Sequence, residues 1–280
     1  MNRKVVQQGP STLMVSLPSK WVKENNIHKG DDIEVSEENG RLVLTIHQFL
    51  GPVKTELSEK TFGFLNKYFV NYCYQKGYDE VLIKCDCINE IEHRVKDLLG
   101  YEVVEKGINS LLIKAVVQMN EQEFDTVLKK LFQVTLVISD LIIKKQFQEA
   151  KVMEKENNKY CDLCIRILFK NKYKYPENGF ALFALIRELE QIGDLYKLIA
   201  EDFESDDLLI QTYEQIDAYF RLYYDLYYSY DVVKAKLFFS EKERLLGLFV
   251  SKEKTIAVVH LTSLVYAVFN LKGLLYLQKI

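Results

Sequence analysis

Two carboxylates on one predicted helix are the first candidates for chemistry in this sequence. Glu190 and Asp194 lie four residues apart in the segment 187–200, which reads Arg-Glu-Leu-Glu-Gln-Ile-Gly-Asp-Leu-Tyr-Lys-Leu-Ile-Ala. This spacing places both carboxylates on one face of a helix, close enough to share a cation or a basic partner. A structural interpretation stays open beside it, because Arg187 is three residues from Glu190 and can form a salt link with it.

The helix that positions these carboxylates is predicted from its apolar residues. Spacings of three and four draw one stripe through Leu182, Ile186, Leu189, Tyr196, Ile199 and Phe203. Such a stripe is typical of an amphipathic helix that packs on a core. Gly193 lies beside the stripe. Because glycine costs a helix about 1 kcal/mol relative to alanine, its presence predicts the close approach of a neighbouring helix.

The run E-L-E-Q-I-G-D-L-Y-K-L-I-A resembles the signature helix of the PhoU family, which are helical-bundle regulators of phosphate uptake. In that family a Glu/Asp-x-x-x-Asp pattern beside an Ile-Gly pair binds metal, so the resemblance implies a divalent metal at Glu190 and Asp194. A second acidic motif is expected on a partner helix. Glu154 matches it, whereas Asn158 stands where an aspartate is expected. The resemblance therefore implies one weakly bound cation at Glu190, Asp194 and Glu154 rather than a polynuclear cluster.

The first 50 residues predict a small β-rich domain with one helix. The predicted elements are strands at 12–17, 33–35 and 41–46, a hairpin turn at 37–40, and a helix at 20–25 capped by Ser19. The order Ser-Thr-Leu-Met-Val-Ser-Leu-Pro-Ser-Lys-Trp-Val-Lys, followed by Ile-His-Lys-Gly-Asp-Asp-Ile-Glu-Val, resembles the AbrB/SpoVT/MazE swapped-hairpin fold. That resemblance implies a β-barrel made by two interleaved chains, and hence a homodimer that binds DNA.

Charge in this segment is consistent with DNA binding. The resemblance implies contacts from basic residues near the N-terminus and the first strand, and we assign them to Arg3, Lys4, Lys20 and Lys23. Glu24 is the only acidic residue among the first thirty, whereas an acidic block follows from 31 to 38. Doubled in a dimer, a basic edge could contact phosphates on both sides of a groove. The alternative is an ordinary solvated face on a module that serves only to dimerise.

Residues 54–117 predict a small α/β linking domain. The pattern indicates helices at 58–75 and 89–99 and strands at 79–85, 101–105 and 110–116, which could form a three-stranded sheet covered by two helices. We find no phosphate-binding loop, nucleophile elbow or paired catalytic residues in this segment.

Residues 120–280 predict an antiparallel helical bundle, and the resemblance to the PhoU family implies the same architecture. The predicted helices span 121–147, 149–172, 177–204, 206–236 and 253–278, with a shorter piece at 241–249. The predicted fold class is therefore a multi-domain α+β protein: a swapped-hairpin domain at 1–50, a linking domain at 54–117 and a bundle at 120–280.

The five cysteines allow two interpretations. Cys161-x-x-Cys164 and Cys85-x-Cys87 could be two halves of a zinc site, although no histidine accompanies either pair and the second spacing is unusual for zinc. Small, reduced and mostly buried thiols are the favoured interpretation, as expected for a cytosolic chain.

Composition narrows the classes of function. The net charge of −3 excludes a surface that is basic throughout, so nucleic-acid binding must be local to one segment. No apolar run is long enough for a membrane span, and the N-terminus lacks a signal-peptide core, so we expect a cytoplasmic protein without membrane insertion. No complete catalytic set is present, and we expect no enzymatic activity.

Two functions follow from the resemblances. The first is a dimeric DNA-binding transcriptional regulator of phosphate uptake with a sensing or docking bundle. The second is a non-DNA-binding adaptor that docks on a phosphate transporter ATPase or a sensor kinase.

Overall fold

The computed structural model describes residues 2–38, 40–45, 52–117, 123–170, 178–202, 207–250 and 253–277. The chain divides into two compact units, Met1–Val53 and Lys54–Ile280. It is a mixed α+β protein whose small N-terminal strands precede a largely helical C-terminal region.

The first unit consists of two antiparallel hairpins and one short helix. Strands β1 (Val6–Gln8) and β2 (Thr12–Met14) form the first hairpin, helix α1 spans Ser19–Glu24, and strands β3 (Glu34–Glu38) and β4 (Arg41–Thr45) form the second. The hairpin predicted around residues 37–40 is confirmed: Glu38 lies opposite Arg41. Residues 39 and 46 of that prediction lie outside the described residues.

Two details of the first unit differ from the sequence prediction. Ser19 is the first residue of α1 rather than its cap; Pro18 holds the cap position, and no side chain caps the helix. Strand β1 was not predicted. Its turn contains Gly9, with a φ of 76°, followed by Pro10, and this Gly-Pro pair is the signal that marks it.

The second unit begins with a four-stranded sheet in the order β5-β6-β8-β7. Its strands are β5 (Lys54–Ser58), β6 (Glu80–Lys84), β7 (Tyr101–Lys106) and β8 (Ser110–Ala115). Strands β5 and β6 are parallel, whereas β8 is antiparallel to both β6 and β7. The three predicted strands are confirmed, and β5 is an additional one.

The predicted helix at 58–75 is wrong. That segment contains a short helix α2 (Glu59–Phe62), a break at Gly63 and a second helix α3 (Tyr68–Gln75). Gly63 has a φ of 78°, a left-handed conformation that ends α2. The other predicted helix is confirmed in shorter form as α4 (Ile88–Val95).

Seven helices follow within the described residues: α5 (Phe124–Ile143), α6 (Phe147–Lys170), α7 (Gly179–Asp202), α8 (Asp207–Tyr228), α9 (Val232–Gly247), α10 (Ile256–Asn270) and α11 (Lys272–Leu277). The single helix predicted over 206–236 is wrong. It is interrupted at Ser229–Asp231, where the Asp231 carboxylate accepts a hydrogen bond from the Lys234 backbone N–H at 2.8 Å and starts α9. The gaps between the helices predicted at 149–172, 177–204 and 206–236 lie outside the described residues.

The sheet and the helices of the second unit share one core. Ile83 and Ile113 from the sheet, and Leu131, Ile186 and Leu261 from the helices, are fully buried in a single hydrophobic cluster. Burying side chains of this size contributes about 1.5–3 kcal/mol each. None of the described helices is long and apolar enough to cross a membrane.

Candidate functional site

The four basic residues assigned to DNA contact are all exposed side chains of the first unit. Arg3 and Lys4 precede β1, and Lys20 and Lys23 lie three residues apart on α1, a spacing that puts both on one side of the helix. Lys20 forms a weak ion pair with Glu24 at 3.7 Å, in which both side chains are largely exposed. Such a pair contributes little to stability, so Lys20 can exchange Glu24 for a phosphate.

Apolar side chains of the first unit are exposed in unusual number. Among residues 2–35, 37 and 40–44, none is buried. Leu13 and Leu42 are each 70% exposed, and Val6 and Val35 are each 57% exposed. The strands that carry them form only two-stranded hairpins, which are at best marginally stable in water. The first unit therefore needs a further surface to cover its apolar side chains.

Glu154 is the most buried of the three residues implied as metal ligands. It lies on α6 with 3% of its surface exposed. Asn158, which stands where the PhoU pattern expects an aspartate, donates a hydrogen bond to Glu154 Oε1 at 2.6 Å. Burial raises the pKa of Glu154, Lys197 at 3.8 Å opposes that rise, and the neighbouring Asp194 carboxylate adds to it.

Glu190 and Asp194 lie on α7 as predicted, but they have different surroundings. Glu190 is half-buried and forms an ion pair with Arg187, which is the structural alternative considered from the sequence. Burial raises the pKa of Glu190, Arg187 lowers it, and the Asp162 and Asp194 carboxylates raise it. Asp194 is exposed. The cluster thus carries two cations of the protein's own, Arg187 and Lys197.

Gly193 packs against the neighbouring helix α6, as the sequence predicted. A Cβ atom at this position would lie 2.7 Å from Asn157 Oδ1. The Asn157 amide is buried and donates to Thr135 Oγ1 at 2.8 Å on α5. The glycine therefore lets three helices approach one another beside the acidic residues.

The ligand atoms of Glu154, Glu190 and Asp194 do not all lie within 4.8 Å of one another. In the part of the chain that the structure describes, the group of three that meets this distance is Glu59, Cys85 and Cys87. The two cysteine pairs likewise do not gather into one four-thiol site. A cation at Glu190, Asp194 and Glu154 stays a prediction. The Glu59 group was missed because its carboxylate is 26 residues from the nearer cysteine.

Comparison with known proteins identifies one segment. Residues 6–48 match the family described as "Antidote-toxin recognition MazE, bacterial antitoxin". No curated protein and no solved structure gives a significant match to the chain. The match covers the two hairpins and α1, so the first unit carries a MazE/AbrB-like domain, consistent with a DNA-binding regulator or an antitoxin-like domain.

Proposed function

We propose that the chain is a cytoplasmic, non-catalytic, dimeric DNA-binding regulator. The observation that carries this proposal is the match of residues 6–48 to the MazE family, together with the exposed apolar strands of the same segment. The second unit would then act as the sensing or docking part of the regulator.

Dimerisation is supported by the exposure of the hairpins. A second copy would supply the same apolar strands and the same open sheet edges, so interleaving covers both at once. Leu13 and Leu42, each 70% exposed, are the side chains with most to gain from this burial.

DNA contact is supported by the position of the cations. Arg3, Lys4, Lys20 and Lys23 carry four positive charges on exposed side chains of the matched unit or next to it. A dimer doubles this number, and each contact with a phosphate releases about one counterion. Binding should therefore be strong at low salt and fall steeply as salt rises.

Phosphate status is the proposed signal. The support is the resemblance of residues 187–200 to the PhoU signature helix, whose two carboxylates lie on one helix here as well. We propose a phosphate-uptake regulator in which α6 and α7 receive the signal, either from a weakly bound divalent cation at Glu154, Glu190 and Asp194 or from a protein such as a phosphate transporter ATPase or a sensor kinase.

The test is a fluorescence titration of the full chain against duplex DNA at two salt concentrations. Replacing Lys4→Glu and Lys20→Glu should weaken binding by more than about tenfold and flatten its salt dependence. The matched control is Lys130→Glu with Lys254→Glu, which makes the same change of charge on exposed residues of the second unit and should leave binding nearly unchanged.

The dimer is measured separately, by sedimentation of the same variants. It should survive the Lys4→Glu and Lys20→Glu exchange, because both side chains are exposed and the apolar strands are unchanged. A parent chain that is dimeric but binds no DNA at low salt would contradict the regulator proposal and favour the adaptor. A double variant that binds DNA as well as the parent would show that the contacts are assigned to the wrong residues.

A further inference from the structure

The parallel pairing of β5 and β6 brings three ligand-type side chains together. Ser58 and Lys84 are the last paired residues of these two strands, so the chain leaves the sheet from both strands at the same edge. Glu59 follows Ser58 at the start of α2, and Cys85 follows Lys84. Cys87 precedes α4. The carboxyl ends of neighbouring parallel strands are where open sheets with helices commonly bind ligands.

The three side chains are close enough to act together. The Cys85 and Cys87 sulfur atoms are 3.1 Å apart, and a Glu59 carboxylate oxygen lies within 4.8 Å of both. Cys85 is buried, whereas Cys87 and Glu59 are half-buried. The group therefore lies at the protein surface with one wall inside the core, where an ion can enter.

We propose that Cys85, Cys87 and Glu59 bind a single Zn²⁺ ion through two thiolates and one carboxylate. This site is separate from the acidic residues of α6 and α7 and does not depend on the proposed DNA binding. Sulfur and carboxylate ligands together suit zinc better than magnesium or calcium, which prefer oxygen alone. Both thiols lose their protons when the ion binds.

The geometry fits a tetrahedral ion after a small adjustment. Two thiolates at about 2.3 Å from a tetrahedral zinc lie about 3.8 Å from each other. The observed 3.1 Å must therefore widen by less than 1 Å. Cys87 can supply this movement, because its side chain is half-buried and its only other polar contact is a 3.4 Å hydrogen bond to the Leu65 carbonyl within the described residues. A fourth position stays open for water.

The backbone around the site is held by neighbours that do not ligate. The Cys85 N–H donates to the Asn109 carbonyl at 3.2 Å, and the Asn109 side chain donates to Asp86 Oδ1 at 2.7 Å. The turn between the two cysteines is thus tied to the loop between β7 and β8. A fixed turn lowers the entropic cost of gathering the ligands.

The test is a zinc titration of the full chain, reduced with a phosphine, in competition with a chromophoric chelator. We expect one equivalent of bound Zn²⁺ and, with Co²⁺ as a probe, the absorption of a thiolate-bound ion. Cys87→Ser should weaken Zn²⁺ binding by at least about tenfold, and Glu59→Gln should weaken it measurably. Cys73→Ala is the matched control, because it removes a buried thiol of the same unit that lies outside the group.

The Cys87→Ser and Glu59→Gln variants must first be shown to fold. Both replace half-buried side chains, and helical circular dichroism measures whether the helices are retained. A folded, reduced parent chain that binds no Zn²⁺ would overturn the proposal. So would an affinity that is unchanged in Cys87→Ser or Glu59→Gln, or that falls equally in Cys73→Ala.

Discussion

The two units of this chain are stabilised in different ways. The second unit buries a continuous core in which the side chains of Ile83, Leu131 and Ile186 are fully enclosed. The first unit has no buried residue among 2–35, 37 and 40–44, and Leu13 and Leu42 remain 70% exposed. The second unit therefore buries its core within one chain, whereas the apolar side chains described in the first unit stay largely uncovered.

The two units also differ in how their charged side chains are paired. In the second unit the buried Asp162 accepts hydrogen bonds from Asn71 at 3.2 Å, Gln75 at 2.6 Å and Arg94 at 3.1 Å. These contacts tie α6 to α3 and α4. In the first unit, the ion pair between Lys20 and Glu24 is exposed and long. Charges on the second unit thus fix its packing, whereas Lys20 on the first unit is held by an exposed pair that contributes little to stability.

The largest expected effect on stability comes from breaking the contacts of Arg166, which join α6 to the segment that carries the four-stranded sheet. Arg166 on α6 is buried, donates to the Tyr74 and Tyr78 carbonyls at 2.8 Å, pairs with Asp79 at 2.9 Å and stacks on the Tyr101 ring. Arg166→Met should lower the free energy of unfolding of the second unit by about 3 kcal/mol, because buried acceptors lose their donor. Urea unfolding of the variant and the parent chain measures this change in the free energy of unfolding.

The control for that change is Arg244→Met. Arg244 also lies on a helix, but it is exposed and pairs with Glu241. Its loss should cost less than about 0.5 kcal/mol. Equal effects of the two substitutions would contradict the role given to the Arg166 contacts.

The second-largest expected effect is the dependence of the first unit's stability on protein concentration. Trp21 is the single tryptophan of the chain and lies on α1, so its fluorescence reports on that unit. If a second copy completes the core, a tenfold dilution should lower the stability seen by Trp21 by about 1.4 kcal/mol. Helical circular dichroism, which is dominated by the second unit, should show a transition that does not move. A Trp21 transition independent of concentration would rule out stabilisation by dimerisation.

A smaller effect is expected at Gly193. The Cβ of Gly193→Ala would lie 2.7 Å from Asn157 Oδ1, and Asn157 is held by its bond to Thr135. Overpacking of about 2 kcal/mol, offset by about 1 kcal/mol of helix propensity, should give a net loss of about 1 kcal/mol. Gly247→Ala is the control, because among the described residues its added Cβ would meet nothing within 4 Å beyond its own stretch of helix, and it should not destabilise the fold. Thermal unfolding of both variants measures the two changes in stability.

The smallest effect is that of Glu154, and it depends on pH. Because burial raises its pKa, the folded state favours the protonated carboxyl, so its contribution to stability is full below the unfolded pKa and is lost as pH rises through the folded pKa. Glu154→Gln should therefore stabilise the protein at neutral pH by about 0.5 kcal/mol, with no gain below about pH 4. Unfolding curves at neutral pH and below about pH 4 test the sign of this change in stability. Glu156→Gln, at a more exposed ion pair on α6, should change little.

The sequence predicted most of the helices because their apolar residues recur at helical spacing. The stripe through Leu189 and Tyr196 alone predicts α7 and its buried face, and both residues are buried. The predicted helix boundaries are less accurate where a turn interrupts an apolar pattern. Gly63 breaks the predicted helix at 58–75, and Asp231 starts a new helix inside the predicted 206–236. Apolar periodicity does not reveal the break at Asp231, because Leu226 before it and Ala235 after it enter the same core.

By itself the sequence determined the MazE-like segment, the helical character of the second half and the pairing of Gly193 with a neighbouring helix. The first two features depend on residues that lie close together in the chain, and the third on a glycine where a helix disfavours one. The sequence left open whether Glu190 pairs with Arg187, three residues away, and the structure shows that it does. Only the tertiary structure decided that Glu59 meets Cys85 and Cys87. The physical reason is that the last contact depends on the register of two parallel strands, and a sequence does not state which strand ends lie side by side.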